Sequence, residues 1–316
     1  MSATTNLSTL PAAARRRALL RAGIGLAVAG SLLSCGGCAA PTSGAAAAAA
    51  PSGPAGRIER GSIASTALGT AMPFSTYLPH GYDTRQRYPV LYLFYGYGGN
   101  PDSLFGGFLD IKSAADRLIA QGVIQPLIIV APDYANSFAV DSTPLPGRSS
   151  GGASIGLYET ALTRELIPFI DTRYSTQPNR DGRFVDGFSM GGFAALYLAF
   201  SHPDLFGKVG ARSAALWDYG DGDLYTRQRN WLYATPALRA ARDPFMLARS
   251  ADLAALQIDM DAGTSDPLFA RSEDLVGVLR QRGANVRWHP GPGGHDSHYW
   301  QGRLEAMLRF HVGVPR

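Results

Sequence analysis

The feature that most constrains this chain is the break between two apolar runs. Arg183-Phe184-Val185-Asp186 leads into Gly187-Phe188-Ser189-Met190-Gly191, and the Ala/Leu-rich run Ala194 to Phe200 follows. A short apolar run, a G-x-S-x-G turn and a helix-prone run spell strand, tight turn and helix, the arrangement of a nucleophile elbow. Such a turn forces strained backbone on the serine, and a side chain at Gly187 or Gly191 would collide with the neighbouring strand and helix. The serine hydroxyl is thereby lifted above the sheet, and the helix N-terminus faces any negative charge that develops there.

The pentapeptide alone is weak evidence in a chain with 37 glycines. A second copy, Gly152-Ala153-Ser154-Ile155-Gly156, occurs after Pro144-Leu145-Pro146-Gly147-Arg148-Ser149-Ser150-Gly151. That flank reads as a loop and not a strand, so context selects Ser189 and leaves Ser154 as a loop residue before a helix.

Residues 1–56 do not read as folded domain. Arg15-Arg16-Arg17 precedes a modestly apolar run from Ala22 to Leu33 that is short for a bilayer span. Arg16-Arg17-Ala18-Leu19-Leu20-Arg21 resembles a twin-arginine export signal, and Leu32-Leu33-Ser34-Cys35 resembles a lipobox, with ordinary cleavage near Ala40 as the alternative. The expectation is an export signal over 1–40, a tether over 41–56 and a catalytic domain over 57–316. The product would be periplasmic, secreted, or held at the membrane through Cys35. Residues 41–56 are almost wholly Ala, Pro, Gly, Ser and Thr, a composition that cannot bury a core.

Both cysteines, Cys35 and Cys38, fall in the leader, which excludes disulfides and thiolate metal sites from residues 57–316. The leader also explains the net charge of +4. Residues 1–56 hold four of the 29 basic side chains and none of the 25 acidic ones, so 57–316 carry 25 of each sign. No basic patch argues for nucleic acid. About 260 residues suffice for one domain with a sizeable core.

Buried strands are expected at Pro89–Tyr95 and Pro126–Pro132, further strands at the elbow run, Lys208–Ala214, Leu256–Asp261 and Asn285–His289, and an early edge strand at Phe74–Leu78. Helical spacing covers Asp110–Gln121, Tyr158–Tyr174, Leu268–Arg282 and Tyr299–His311. This alternation predicts an α/β fold with a mostly parallel sheet covered by helices on both faces, and its site at the carboxyl ends of the strands.

A serine nucleophile needs a base and a group that orients the base. Of six histidines, His80 and His202 sit in turns and read as surface residues, while His289 and His311 suit structural roles. His295 follows Gly291-Pro292-Gly293-Gly294, a loop after the last strand, and is preferred to His298 in the next helix. Asp259, Asp261 and Asp266 compete for the acid. A loop carboxylate reaches an imidazole more easily than one on a rigid strand, so Asp266 is preferred and Asp261 comes next. Two backbone N–H donors must also meet the oxyanion. Met190 directly follows the nucleophile, and Tyr97 lies in the Gly96-Tyr97-Gly98-Gly99 turn after the Pro89–Tyr95 strand.

Several motifs fall in one order. They are Tyr77-Leu78-Pro79-His80-Gly81-Tyr82, Pro89-Val90-Leu91-Tyr92-Leu93, Asn136-Ser137-Phe138, Tyr158-Glu159-Thr160 and Glu165–Asp171, then Gly187–Gly192, Gly263-Thr264-Ser265-Asp266 and Gly294-His295-Asp296. With them, residues from about 70 to 312 resemble the α/β-hydrolase family of esterase D, feruloyl esterases and mycolyltransferases. The resemblance implies Ser189, Asp266 and His295 as the triad and Tyr97 and Met190 as oxyanion amides. One departure is Tyr95-Gly96 where the family usually has His-Gly, which alters the support of that turn.

The expected function is an exported serine ester hydrolase acting on a small-molecule, lipid or aryl ester, with no metal or organic cofactor. Acyl transfer to a sugar or other alcohol, as in mycolyltransferases, is the alternative, and a non-catalytic binding lipoprotein is the third reading. The aromatic-rich segment Trp217–Phe245 and the loop Ala135–Gly152 are expected to wall the substrate cleft.

Overall fold

A computed structural model describes residues 55–217 and 226–315. The expected export signal, the lipobox-like Cys35 stretch and nearly all of the expected tether lie outside these residues. So do Tyr219 and Tyr225.

The described residues form an eight-stranded sheet in the order β1-β2-β4-β3-β5-β6-β7-β8. The strands are β1 (Arg57–Ser65), β2 (Thr70–Leu78), β3 (Val90–Phe94), β4 (Ile128–Pro132), β5 (Arg183–Gly187), β6 (Lys208–Arg212), β7 (Gln257–Asp261) and β8 (Asn285–Trp288). β1 and β2 form an antiparallel hairpin and β2 runs antiparallel to β4, while β4 through β8 are mutually parallel. This is an α/β-hydrolase fold with helices on both faces of a mostly parallel sheet.

Apolar continuity explains the centre. Every residue of β3 (Val-Leu-Tyr-Leu-Phe), β4 (Ile-Ile-Val-Ala-Pro) and β5 is buried, as required of strands covered on both faces. Their register ends Phe94 of β3 opposite Gly187 of β5, so the turns leaving both strands emerge side by side.

Phe74–Leu78 is not an edge strand. It is part of the longer β2, flanked by β1 and β4, and the edge belongs to β1. Arg57-Ile58-Glu59-Arg60-Gly61-Ser62 gives little period-2 signal because both faces of most of β1 reach solvent. The strand expected over Lys208–Ala214 stops at Arg212, where Ser213 turns the chain with φ 49°.

The helices are α1 (Pro101–Phe105), α2 (Ile111–Ala120) and α3, which starts as Tyr158–Thr160, passes through a π-helical stretch Ala161–Leu166 and ends as Ile167–Arg173. They continue with α4 (Met190–Ser201), α5 (Thr226–Leu232), α6 (Pro236–Arg242), α7 (Pro244–Ser250), α8 (Phe269–Gln281) and α9 (Ser297–Val312). α4 is buried from Met190 to Phe200, a helix apolar all round and enclosed by its neighbours. It packs on α7, and α7 on α8, while α9 packs on α2 and α2 on α1.

Candidate active site

Ser189 is the N-cap of α4 and sits at φ 57°, ψ −115°, a region that costs a non-glycine residue free energy. Neighbouring backbone holds it there. Its N–H donates to the Arg212 carbonyl at 2.9 Å, and its carbonyl accepts from Ala215 at 2.9 Å and Phe193 at 3.1 Å. The two elbow glycines are sterically required. A Cβ on Gly187 would lie 2.2 Å from the Gly191 oxygen, and one on Gly191 would lie 2.1 Å from the Phe94 oxygen.

His295 stands in the loop between β8 and α9. Its Nε2 is 2.8 Å from Ser189 Oγ and its Nδ1 is 2.9 Å from Asp266 Oδ2. A neutral imidazole with its proton on Nδ1 donates to Asp266 and leaves Nε2 to accept from the serine hydroxyl. The loops that carry Asp266 and His295 are stitched together by backbone. Thr264 N–H donates to the Gly291 oxygen at 2.8 Å and Ser265 N–H to the Gly293 oxygen at 2.9 Å. Trp300 of α9 meets the His295 ring edge-on at 5.1 Å and 81°.

Asp266 is buried, with Oδ1 accepting from the Leu268 N–H at 2.8 Å. Burial pushes its carboxyl up, but the hydrogen bonds from His295 and Leu268, with the nearby Ser213 hydroxyl, outweigh burial and hold it below the usual aspartate value. The structure therefore brings Ser189, His295 and Asp266 into one hydrogen-bonded chain.

Asp261 and Asp259 are committed elsewhere. Arg212 Nη1 reaches Asp259 Oδ2 at 2.6 Å and Asp261 Oδ2 at 2.8 Å, while its Nη2 reaches Asp186 Oδ2 at 2.8 Å. His311 Nε2 lies 2.8 Å from the same Asp186 oxygen. This buried network sits directly behind the elbow. The other histidines are also placed: His298 and His80 are exposed, and His289 is half exposed, 3.3 Å from Asp259. His202 is no free surface residue, since its Nε2 is 2.7 Å from Glu159 Oε1 in a part-buried pair.

Tyr97 occupies the turn closed by the Gly99 N–H on the Gly96 oxygen at 2.9 Å, with Gly98 at φ 75°. This turn abuts the elbow: a Cβ on Gly96 would lie 3.5 Å from Ser189 Cβ. Met190 opens α4, where an amide has no acceptor within the helix. Asn136 pins the turn by accepting from the Gly98 N–H at 2.8 Å, and Ser154 Oγ accepts in turn from the Asn136 N–H at 3.2 Å. The second G-x-S-x-G is thus loop scaffolding. At the departure from the family pattern, buried Tyr95 donates to Asp133 Oδ1 at 2.6 Å, and Tyr134 donates to the Tyr95 carbonyl. Burial, reinforced by Asp133, pushes the Tyr95 phenol well up and keeps it a donor.

A cleft of about 460 Å³ opens over Ser189 and His295, walled by Tyr97, Asn100, Phe108 and Trp300. Tyr97 and Phe108 remain 41% and 44% exposed, leaving aromatic surface for a bound group. The described aromatics of the Trp217–Phe245 segment do not wall it as expected. Trp217, Trp231, Tyr233 and Phe245 are buried in the core, where Trp217 packs on Phe138 and Phe193. Among the described residues no group of three or more His, Cys, Asp or Glu is placed to hold a metal ion, and no helix is long and apolar enough to cross a membrane.

Sequence reasoning gave no role to Asn136, Trp300 or Arg212. Each acts through contacts at long sequence separation, and only Asn136, inside a quoted motif, left a signal.

The sequence profile of the family described as "Putative esterase" matches residues 65–311. The chain is 32% identical over 172 residues to an endo-1,4-beta-xylanase/feruloyl esterase of Xylanibacter ruminicola, covering 51% of this chain and 22% of that protein. It is 27% identical over 227 residues to the diacylglycerol acyltransferase/mycolyltransferase Ag85A of Mycobacterium leprae, covering 66% of each. A solved ferulic acid esterase superposes with TM-score 0.68 at 25% identity, covering 83% of this chain and 99% of that one. The chain spans less than a third of the length of the first curated relatives it matches.

Proposed function

The chain belongs to this esterase family, and we propose that it is an exported serine carboxylic-ester hydrolase working through an acyl-enzyme. The observation that carries the reading is the chain from Ser189 Oγ through His295 to Asp266, with links of 2.8 and 2.9 Å. Ser189 attacks the ester carbonyl as His295 Nε2 takes its proton. Asp266 holds the ring by accepting from Nδ1–H and stabilises the imidazolium. The backbone N–H groups of Tyr97 and Met190 receive the oxyanion, where each such donor is worth about 100-fold or more in rate. The alcohol leaves with the proton from His295. Water, deprotonated by the same nitrogen, then attacks the acyl group and restores Ser189.

The cleft suits this chemistry, because the exposed rings of Tyr97 and Phe108 offer apolar faces to an aryl or alkyl group. The relative named feruloyl esterase supports an aryl ester as one substrate class. Export rests on the twin-arginine-like leader, and anchoring on the lipobox at Cys35.

Acyl transfer is the second reading, favoured by the similarity to a protein named mycolyltransferase and by the open cleft. It shares every step up to the acyl-enzyme and differs in whether an alcohol or water attacks it. Labelling with a phosphonate ester tests both at once. One adduct on the peptide containing Ser189, lost in His295→Ala, is expected. An adduct elsewhere, or none on the folded protein, would refute the proposed nucleophile. Product analysis with a sugar acceptor then separates hydrolysis from transfer.

A further inference from the structure

Tyr97 and Phe108 both stand half exposed at the cleft, but in different surroundings. Tyr97 lies in the turn after β3 and leans towards Phe138, with 6.4 Å between ring centres. Its hydroxyl abuts the loop at Gly152, where a Cβ would lie 2.5 Å from it. Phe108 lies in the loop between α1 and α2. Its ring meets Trp300 at 5.9 Å, and Trp300 in turn meets His295 edge-on at 5.1 Å.

Backbone holds Phe108 in that place. Gln301 Nε2 of α9 donates to the Phe108 carbonyl at 2.9 Å, and the Asp110 N–H donates to the Gly106 carbonyl at 2.7 Å. The next side chain, Leu109, is buried. Trp300 is only 4% exposed, so it backs the wall and Phe108 presents the free apolar face. A ring held in position with one face uncovered is stabilised when an apolar group settles on it.

Proton transfer decides which half of an ester would lie there. When the bond between the acyl carbon and the alcohol oxygen breaks, that oxygen takes the proton carried by His295 Nε2. The alcohol half therefore lies on the His295 side of Ser189, while the acyl carbon stays bonded to Ser189 Oγ. Phe108 joins the site through Trp300, the ring beside His295, and so stands on the alcohol side.

From this geometry we infer that Phe108 is a specificity-determining residue for the leaving alcohol, whose ring stacks on an aryl or other apolar alcohol group of the ester. The inference rests on the proposed esterase reading.

Two ester series on the full chain test this by varying one half at a time. Phenyl and 2-naphthyl acetate change the alcohol at constant acyl group. The p-nitrophenyl esters of acetate, butyrate and octanoate change the acyl group at constant alcohol. Phe108→Ala and Phe108→Leu remove the ring, and Phe108→Tyr keeps it. The readout is kcat/KM, which covers every step up to release of the alcohol. The naphthyl-to-phenyl ratio, in which leaving-group reactivity cancels between proteins, should fall about fivefold in Phe108→Ala and Phe108→Leu. It should stay within about twofold of wild type in Phe108→Tyr, and the acyl-chain profile should keep its shape in all three. An unchanged naphthyl-to-phenyl ratio, an equal loss on every ester, or a change confined to the acyl series overturns the inference. Ser189→Ala runs alongside: a wild type inactive on both series, or an active Ser189→Ala, overturns the esterase reading and this inference with it. An active wild type whose alcohol preference ignores Phe108 overturns this inference alone.

Discussion

The N–H of Ser189 donates to the carbonyl of Arg212 at 2.9 Å, while the guanidinium of that same arginine binds Asp186, Asp259 and Asp261. Strained serine backbone is thus tied to a buried charge cluster spanning β5, β6 and β7. Burial of the cation is unfavourable in itself, but the three carboxylates more than offset it and push the Arg212 pKa well up.

Arg212→Met should destabilise the fold by about 3–5 kcal/mol, because it leaves three carboxylates buried without their cation. Urea unfolding monitored by circular dichroism measures this. A midpoint close to wild type would mean that the cluster does not depend on the arginine charge.

Buried His311 makes stability depend on pH. Burial lowers its pKa, and the Asp186 hydrogen bond and charge offset this only in part. A lowered folded-state pKa means the unfolded chain binds the proton more readily, so stability is full above the unfolded value near pH 6.5. It should decline as pH falls from there towards the folded value, by at most about 1.4 kcal/mol per pH unit for this group. His311→Gln, which keeps a donor for Asp186, should flatten the slope of unfolding free energy between pH 6.5 and 5. An equally steep slope in the variant would contradict this assignment.

Two glycines near the site should respond differently to alanine. At Gly191 a Cβ would lie 2.1 Å from the Phe94 oxygen, so Gly191→Ala should cost about 3 kcal/mol or more and abolish activity. At Gly98 nothing lies within 4 Å and only φ 75° opposes a side chain, so Gly98→Ala should cost about 1–2 kcal/mol. Thermal unfolding of both variants gives the comparison.

Asn136→Ala should release the Gly98 N–H and loosen the turn that presents the Tyr97 amide. The expected result is a drop of about 10-fold or more in kcat with a small change in Tm, read by ester hydrolysis and calorimetry. Equal kcat in the two proteins would show that the turn holds its shape without Asn136.

The elbow and the central strands were legible because local signals agree: glycines at fixed offsets, then continuous apolar runs at β3, β4 and β5. Asp266 was open to choice in the sequence, since three aspartates lie within eight residues. Only the Arg212 cluster reveals why Asp259 and Asp261 are committed elsewhere. β1 leaves no periodic signal because Arg57–Ser62 lacks a buried face, so the sequence alone makes β2 look like the edge. The aromatics Trp217, Trp231, Tyr233 and Phe245 are not placeable from sequence, because composition does not distinguish a core ring from a cleft wall. Packing around Phe138 and Phe193 decides it for Trp217.

In the proposed mechanism Ser189, aimed by His295 and Asp266, cleaves esters. Hydrolysis of p-nitrophenyl esters from acetyl to palmitoyl, with feruloyl esters included, tests it with wild type, Ser189→Ala and Asp266→Asn. Wild type should turn over at least one ester, Ser189→Ala should lose about 10⁶-fold in kcat, and Asp266→Asn about 10⁴-fold. Turnover that survives in Ser189→Ala, or a folded wild type inactive on every ester, would contradict it.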